Sequence, residues 1–346
     1  MLRRSILVFS SLLLLGLAGC VISPRRDVVS GGGGGGPATG KLYVTNEINN
    51  SIIRFDNAFT ANGNVTPAAT IVGAATQISG PKYIFLDASA DRLFVANPGV
   101  PNILIYDNIS TTNGNVAPSR VITSTSLTTP TDVALDKGRD QLYVADTNGV
   151  LVFAAASTTN GLNVPIRNIQ SGFTPSALFV DAASDRLFAA DAINNAINVY
   201  DGASSLSGAA VAVTRRLTGA STQLSQPFGL QIDSTGRLVV SNFAPTPSIT
   251  IYANAAGVNG NVAPVATISG SNTTLNGPTQ LTINSVAAGG ELFVGDPFGG
   301  NIPVFGSIST IAGTQNIAPT RNITGANTTI TSGGPNARGV AIDTTR

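Results

Sequence analysis

Six side chains able to ligate a hard cation recur at one point of a repeated hexapeptide: Asn46, Asn97, Asp146, Asp191, Asn242 and Asp296. Each closes an element of the form Leu-aromatic-Val-Ala-Asp/Asn, as in RLFVAN at 92–97 and QLYVAD at 141–146. Carboxylate and amide oxygens suit Ca²⁺, so Asp146, Asp191 and Asp296 are the candidate metal ligands. The competing reading is structural. Most of the 18 acidic residues fall in register with the repeat, where Asp and Asn accept hydrogen bonds from turn amides. That role accounts for all six positions at once.

Other chemistry is removed by composition. The chain has no His, its one Met is Met1, and its one Cys is Cys20. No Ser–His or Cys–His nucleophile can be assembled, and the commonest general base is missing. Sites built on imidazole or several thiolates are excluded as well. The chain is therefore read as non-catalytic, with catalysis by carboxylates alone as the open alternative.

A second set of candidates consists of residues that break the repeat. At the start of each proline-led strand stand Lys82-Tyr83, Thr131-Asp132, Ser176-Ala177, Phe228-Gly229, Thr279-Gln280 and Asn336-Ala337. Unlike side chains at like positions can recognise an asymmetric ligand. Lys82, Tyr83, Asp132, Phe228 and Gln280 are the expected ligand contacts, against the alternative of neutral variation in surface loops.

Positioning these residues is the task of the repeat. The hexapeptide leucines are Leu42, Leu93, Leu142, Leu187, Leu238 and Leu292, spaced 45 to 54 residues apart. A period near 50 fits four short strands with turns, which marks a propeller and not a helical solenoid. Before each hexapeptide but the first runs a proline-led strand, and after it a third strand such as 103–107. A fourth follows an Asn-Gly turn such as NGNVAP at 113–118, which blade four replaces with 204–209. Period-two alternation between Gly, Asn and Pro clusters supports this reading. The first unit lacks its leading strand, and GVAID at 339–343 has nothing after it. The expected fold is thus all-β: six four-stranded blades, closed by the C-terminal strand joining the N-terminal blade, with Val340 and Ile342 beside Leu42–Val44.

These repeats resemble those of NHL and YVTN-type propellers, with YVTN itself at 43–46 and the likeness running over 40–346. The NHL tripeptide is absent, as the chain has no His. The resemblance implies a propeller and little about activity, since propellers host many functions. Streptogramin-lyase-like and quinoprotein-dehydrogenase-like sites need His, and sialidase-like Asp boxes need Trp, of which there is none. Lactonase-like propellers hold an ion with Glu, Asn and Asp. A Ca-dependent lactonase-like hydrolase is therefore the alternative function, weakened by the lack of Glu in the ring.

The N-terminus resembles a bacterial lipoprotein precursor. Arg3 and Arg4 precede an apolar run at 6–15, and Leu17-Ala18-Gly19-Cys20 reads as a lipobox. The run is short for a membrane span, and a lone Cys has no disulfide partner in the chain. The competing reading is an ordinary signal peptide with an incidental Cys. The expected organisation is a signal at 1–19, lipidated Cys20 with a Gly-rich tether at 20–39, and the propeller at 40–346. Val21 after the Cys favours outer-membrane placement over inner-membrane retention. Basic and acidic residues number 19 and 18, with no basic stripe to release phosphate counterions. The expected protein is a monomeric envelope lipoprotein that binds a protein, peptide or glycan. It needs no cofactor, unless Ca²⁺, contacts the membrane through its lipid alone, and binds no nucleic acid.

Overall fold

The computed structural model describes residues 39–147, 149–330 and 334–346. The expected signal, Cys20 and nearly all of the expected tether lie outside the described residues. Six sheets of antiparallel strands form six blades around an axis. The innermost strands are Asn336–Asp343 in blade one, then Ile84–Asp87, Asp132–Asp136, Ala177–Asp181, Pro227–Ile232 and Leu281–Asn284 in blades two to six. The second strands follow the hexapeptides closely: Lys41–Asn46, Arg92–Asn97, Gln141–Asp146 and Arg186–Asp191 occupy the expected ranges, and the last two are shortened to Leu238–Asn242 and Glu291–Val294.

Closure takes the expected form. The tail strand pairs antiparallel with the first strand, setting Leu42 against Ile342 and Val44 against Val340. Gly40 N–H then donates to the Arg346 carbonyl at 3.0 Å, so both ends of the propeller meet.

The second strands are buried on both faces because each blade packs a neighbour on either side, which explains their continuous apolar runs. The core accordingly divides into six apolar clusters, one per seam. Phe55, Phe293 and Val304 fill the seam of blades six and one, for example, and Tyr143, Ile169 and Leu187 that of blades three and four.

A second fastening was not foreseen. The Asn-Gly turns, expected only to lead into an outer strand, also clamp the outer strand of the preceding blade. Asn113 accepts from Thr70 N–H at 2.9 Å, Gly114 N–H donates to Thr70 O at 2.8 Å, and Asn115 accepts from Ala75 N–H at 2.8 Å. The same contacts run from Asn259, Gly260 and Asn261 to Arg216 and Ser221. They also run from Asn62, Gly63 and Asn64 to Asn322 and Asn327, which makes the ring close twice. Two clamps extend into short parallel strands, so blades two and five have five strands instead of the expected four.

In four blades the clamped segment continues into a tight Gly-x-x-Thr turn, as at 73–76 and 325–328. Its glycine has φ near +120°, and a Cβ on Gly73 would stand 2.5 Å from the Asn115 side chain, so no other residue fits. Each clamp side chain makes one hydrogen bond to backbone, a bond that contributes about 1 kcal/mol. Asn64→Ala should therefore lower the unfolding free energy by about 1 kcal/mol, and Asn62→Ala with Asn64→Ala by about 2 kcal/mol, in urea titrations. Unchanged midpoints would show that these turns fasten nothing.

Candidate functional site

Inner strands begin, and second strands end, at the same mouth of the ring. A sequence of hydroxyl and amide contacts staples all six seams there. Thr45 donates to Lys82 O (2.6 Å), Tyr83 N–H to Thr131 O (3.3 Å), and Thr131 to Pro175 O (3.2 Å). Ser176 donates to Pro227 O (2.6 Å), Ser241 to Thr279 O (2.6 Å), and Thr279 to Arg338 O (2.7 Å). The repeat-breaking Thr131, Ser176 and Thr279 thus hold the ring together. The sixth pair is corrected by the pairing of Val340 with Val44: Arg338-Gly339, not Asn336-Ala337, stand where Lys82-Tyr83 stand in blade two.

The five expected ligand contacts separate into two groups. Asp132 and Gln280 lie inside the channel, a cavity of about 190 Å³ lined by the inner strands of all six blades. Each ties its own strand to the next. Asp132 accepts from Leu178 N–H (2.7 Å) and Val133 N–H (2.8 Å). Gln280 accepts from Val340 N–H (3.0 Å) and reaches across to Ile84, donating to its carbonyl at 2.8 Å. Burial pushes the Asp132 carboxyl up to about 8, against those two donors.

Lys82, Tyr83 and Phe228 come together at the mouth, around a second cavity of about 200 Å³ walled also by Pro175, Ala192, Ile193 and Arg338. Tyr83 is buried beneath it; burial raises its hydroxyl pKa and the neighbouring Arg338 charge opposes that rise. Arg338 pairs with Glu47. Lys82 makes no salt bridge among the described residues, and burial, then the Arg338 charge, lowers its pKa.

Sequence reasoning missed the apolar turns between second and third strands. Ile193 is 82% exposed and Phe298 40%. Phe243 sits between Phe228, tilted against it (5.1 Å between centroids), and Phe298, met edge to face (5.4 Å). Gly277, at φ +131°, leaves room for this triad: a Cβ there would meet Phe243 at 3.0 Å and Phe298 at 3.1 Å. Apolar residues in turns otherwise built from Asn and Gly were the available signal.

Members of the oxygen-bearing ring are engaged by backbone amides around them. Asp146 accepts from Thr128 and Thr129 N–H, both at 3.0 Å, and Asp296 from Asn276 N–H at 2.6 Å. Asn97 and Asn242 accept from Ser79 and Ser225 N–H, while Asp191 accepts from Asn194 in its own turn. Burial raises the Asp296 pKa to about 6. Among the described residues, no three acidic, His or Cys side chains are grouped to hold a metal.

No protein-family model and no curated protein matches the chain. Solved structures do: 1092 chains match it. One is described as "Crystal structure of Nidogen/Laminin Complex", with 15% identity and a TM-score of 0.59 over 88% of this chain and 97% of that one. Another is a functionally unknown protein from Desulfotomaculum acetoxidans DSM 771, with 9% identity and a TM-score of 0.51 over 86% and 82%. What they share with it is the propeller. At these identities the β-propeller architecture is common to them, and the site residues must be argued from this chain.

Proposed function

We propose that this propeller is a non-catalytic binding module that holds a polypeptide partner at its mouth. The observation that carries the reading is the pocket bounded by Ile193, Phe228, Pro175 and Lys82. An exposed apolar wall beside the Lys82 ammonium suits an apolar side chain flanked by Asp or Glu, because buried apolar anchors dominate interface energy and the charge supplies orientation. The similar chain described with the nidogen/laminin complex comes from an assembly of proteins, which accords with this use of the fold. The lipobox at 17–20 supports an envelope lipoprotein anchored through Cys20, and Val21 supports the outer membrane. Lipidation with more than one chain would make that anchoring stable.

Panning a displayed peptide library on the purified propeller tests the reading. Enriched peptides should pair an apolar anchor with acidic residues and bind Ile193→Asp at least tenfold more weakly than wild type. Lys82→Ala should remove the acidic preference. Failure to enrich any peptide, or equal binding by Ile193→Asp, would remove the mouth as the binding surface.

A further inference from the structure

The mouth pocket is divided by chemistry across the ring. Lys82 and Arg338 stand at like positions on blades two and one, since Ile84 pairs with Val95 as Val340 pairs with Val44. In a ring of six, those blades lie opposite blades four and five. The latter supply the apolar wall of Pro175, Ala192, Ile193 and Phe228. No acidic side chain is among the described residues that line the pocket, although Glu47 pairs with Arg338 from outside it. The Thr131 and Ser176 hydroxyls, which also line it, donate to the carbonyls of Pro175 and Pro227. Positive charge is thus the polar feature this pocket presents, and it faces an apolar wall.

We propose that the pocket receives the C-terminal residue of the partner polypeptide, its carboxylate towards Lys82 and Arg338 and its apolar side chain against Ile193 and Phe228. The assignment rests on the polypeptide reading of the mouth and specifies which acid answers the charge. Size decides between a terminal and an internal segment. The cavity of about 200 Å³ lies below the roughly 300–1,000 Å³ of pockets that enclose a drug-sized ligand, so it takes about one residue. A terminal residue carries carboxylate and side chain on the same Cα, and so meets both walls at once. An internal apolar residue next to Asp needs room for two side chains and for chain leaving in both directions. With Tyr83 buried beneath and Lys82 part-buried, the charge acts in a lower dielectric than water, which strengthens its pull on a carboxylate. Capture of a terminal carboxylate is a general mode of peptide recognition.

Surface plasmon resonance on the immobilised protein tests it with acetylated peptides Gly-Ser-Asp-X, where X is Leu, Ile, Val or Phe. Each is made with a free carboxylate, as the C-terminal amide, and with Gly-Ser added after X. The Asp keeps an acid beside the apolar residue in all three forms, so each still satisfies the polypeptide reading. At least one free-acid peptide should bind about tenfold more tightly than its amide and its extended form, the scale of one hydrogen bond to a charged group. Lys82→Met keeps the aliphatic stem and removes the charge, and should cut that preference by about threefold or more. Equal affinity of the three forms, or an unchanged preference in Lys82→Met, overturns the terminal assignment and leaves the mouth as a polypeptide site. Absence of binding by every peptide overturns both.

Discussion

A chain ending at Gly334 is expected to lose its cooperative thermal transition and to aggregate. The deletion removes the innermost strand of blade one, and with it the pairing of Leu42 to Ile342 and of Val44 to Val340. Buried Ala337, Val340 and Ala341 leave the core, and Gln280 loses the Val340 amide it ties down. The first strand is left as a long apolar edge, the geometry that invites pairing with another chain. Native domains have only about 5–15 kcal/mol in reserve, and loss of a whole buried strand exceeds that. A milder version isolates the seam. A Cβ on Gly339 would lie 2.5 Å from Lys82 O and 2.8 Å from Thr45 Oγ1, so Gly339→Val should cost about 3 kcal/mol through overpacking. A monomeric truncated protein with the wild-type melting temperature would show that closure does not depend on the tail.

The second large effect is on the dependence of stability on pH. Asp132 is held by burial at about 8 when folded, whereas an unfolded Asp titrates near 3.9. Between about pH 4 and 8 the folded chain keeps a proton that the unfolded chain has released, so stability falls as pH rises through that window and levels off above it. The full difference is about 6 kcal/mol. Asp296, raised to about 6, acts in the same direction at the acid end of the window. An opposite limb comes from Asp56, Asp87, Asp201 and Asp233. Burial works against ionisation at each, but hydrogen bonds, above all from Arg54, Ser89, Arg215 and Thr235, hold their pKa below the usual value. Their contribution is present above about pH 4 and lost as pH falls below it. Maximal stability is thus expected on the acid side of neutrality. Asp132→Asn should flatten the slope between pH 5.5 and 8.5 in urea titrations, whatever its constant cost at any one pH. Parallel profiles for variant and wild type would mean that Asp132 does not keep its proton.

The strands were legible because each second strand repeats a motif whose apolar residues are buried by like neighbours. Strand 92–97 could be read from its own six residues, and closure from the missing first strand and the surplus last one. The clamps were not legible. Asn113 and Thr70 meet across two blades, and an Asn-Gly turn has the same sequence whether it faces solvent or a neighbouring strand. Register also failed where a proline misled: Pro335 suggested Asn336-Ala337, but the ladder is set by Val340 and Ile342, and two extra residues of the tail strand are accommodated where pairing shifts between Val44 and Asn46. Of the site, Lys82 and Phe228 were found because they break a pattern. Asp132 and Gln280 break it equally, yet serve the channel wall, since sequence alone does not tell a side chain that meets a ligand from one that satisfies an adjacent strand.

Blade one waits on both ends of the chain, taking its axial strand from residues 336–343 and lending the 62–64 turn to blade six. During synthesis blade one must therefore stand unfinished until residues 336–343 have been made. A message cut short anywhere before them yields a product that cannot hide its raw margin and is exposed to chaperones and proteases. The junction thus acts as an inspection, passed only by a polypeptide translated through Asp343.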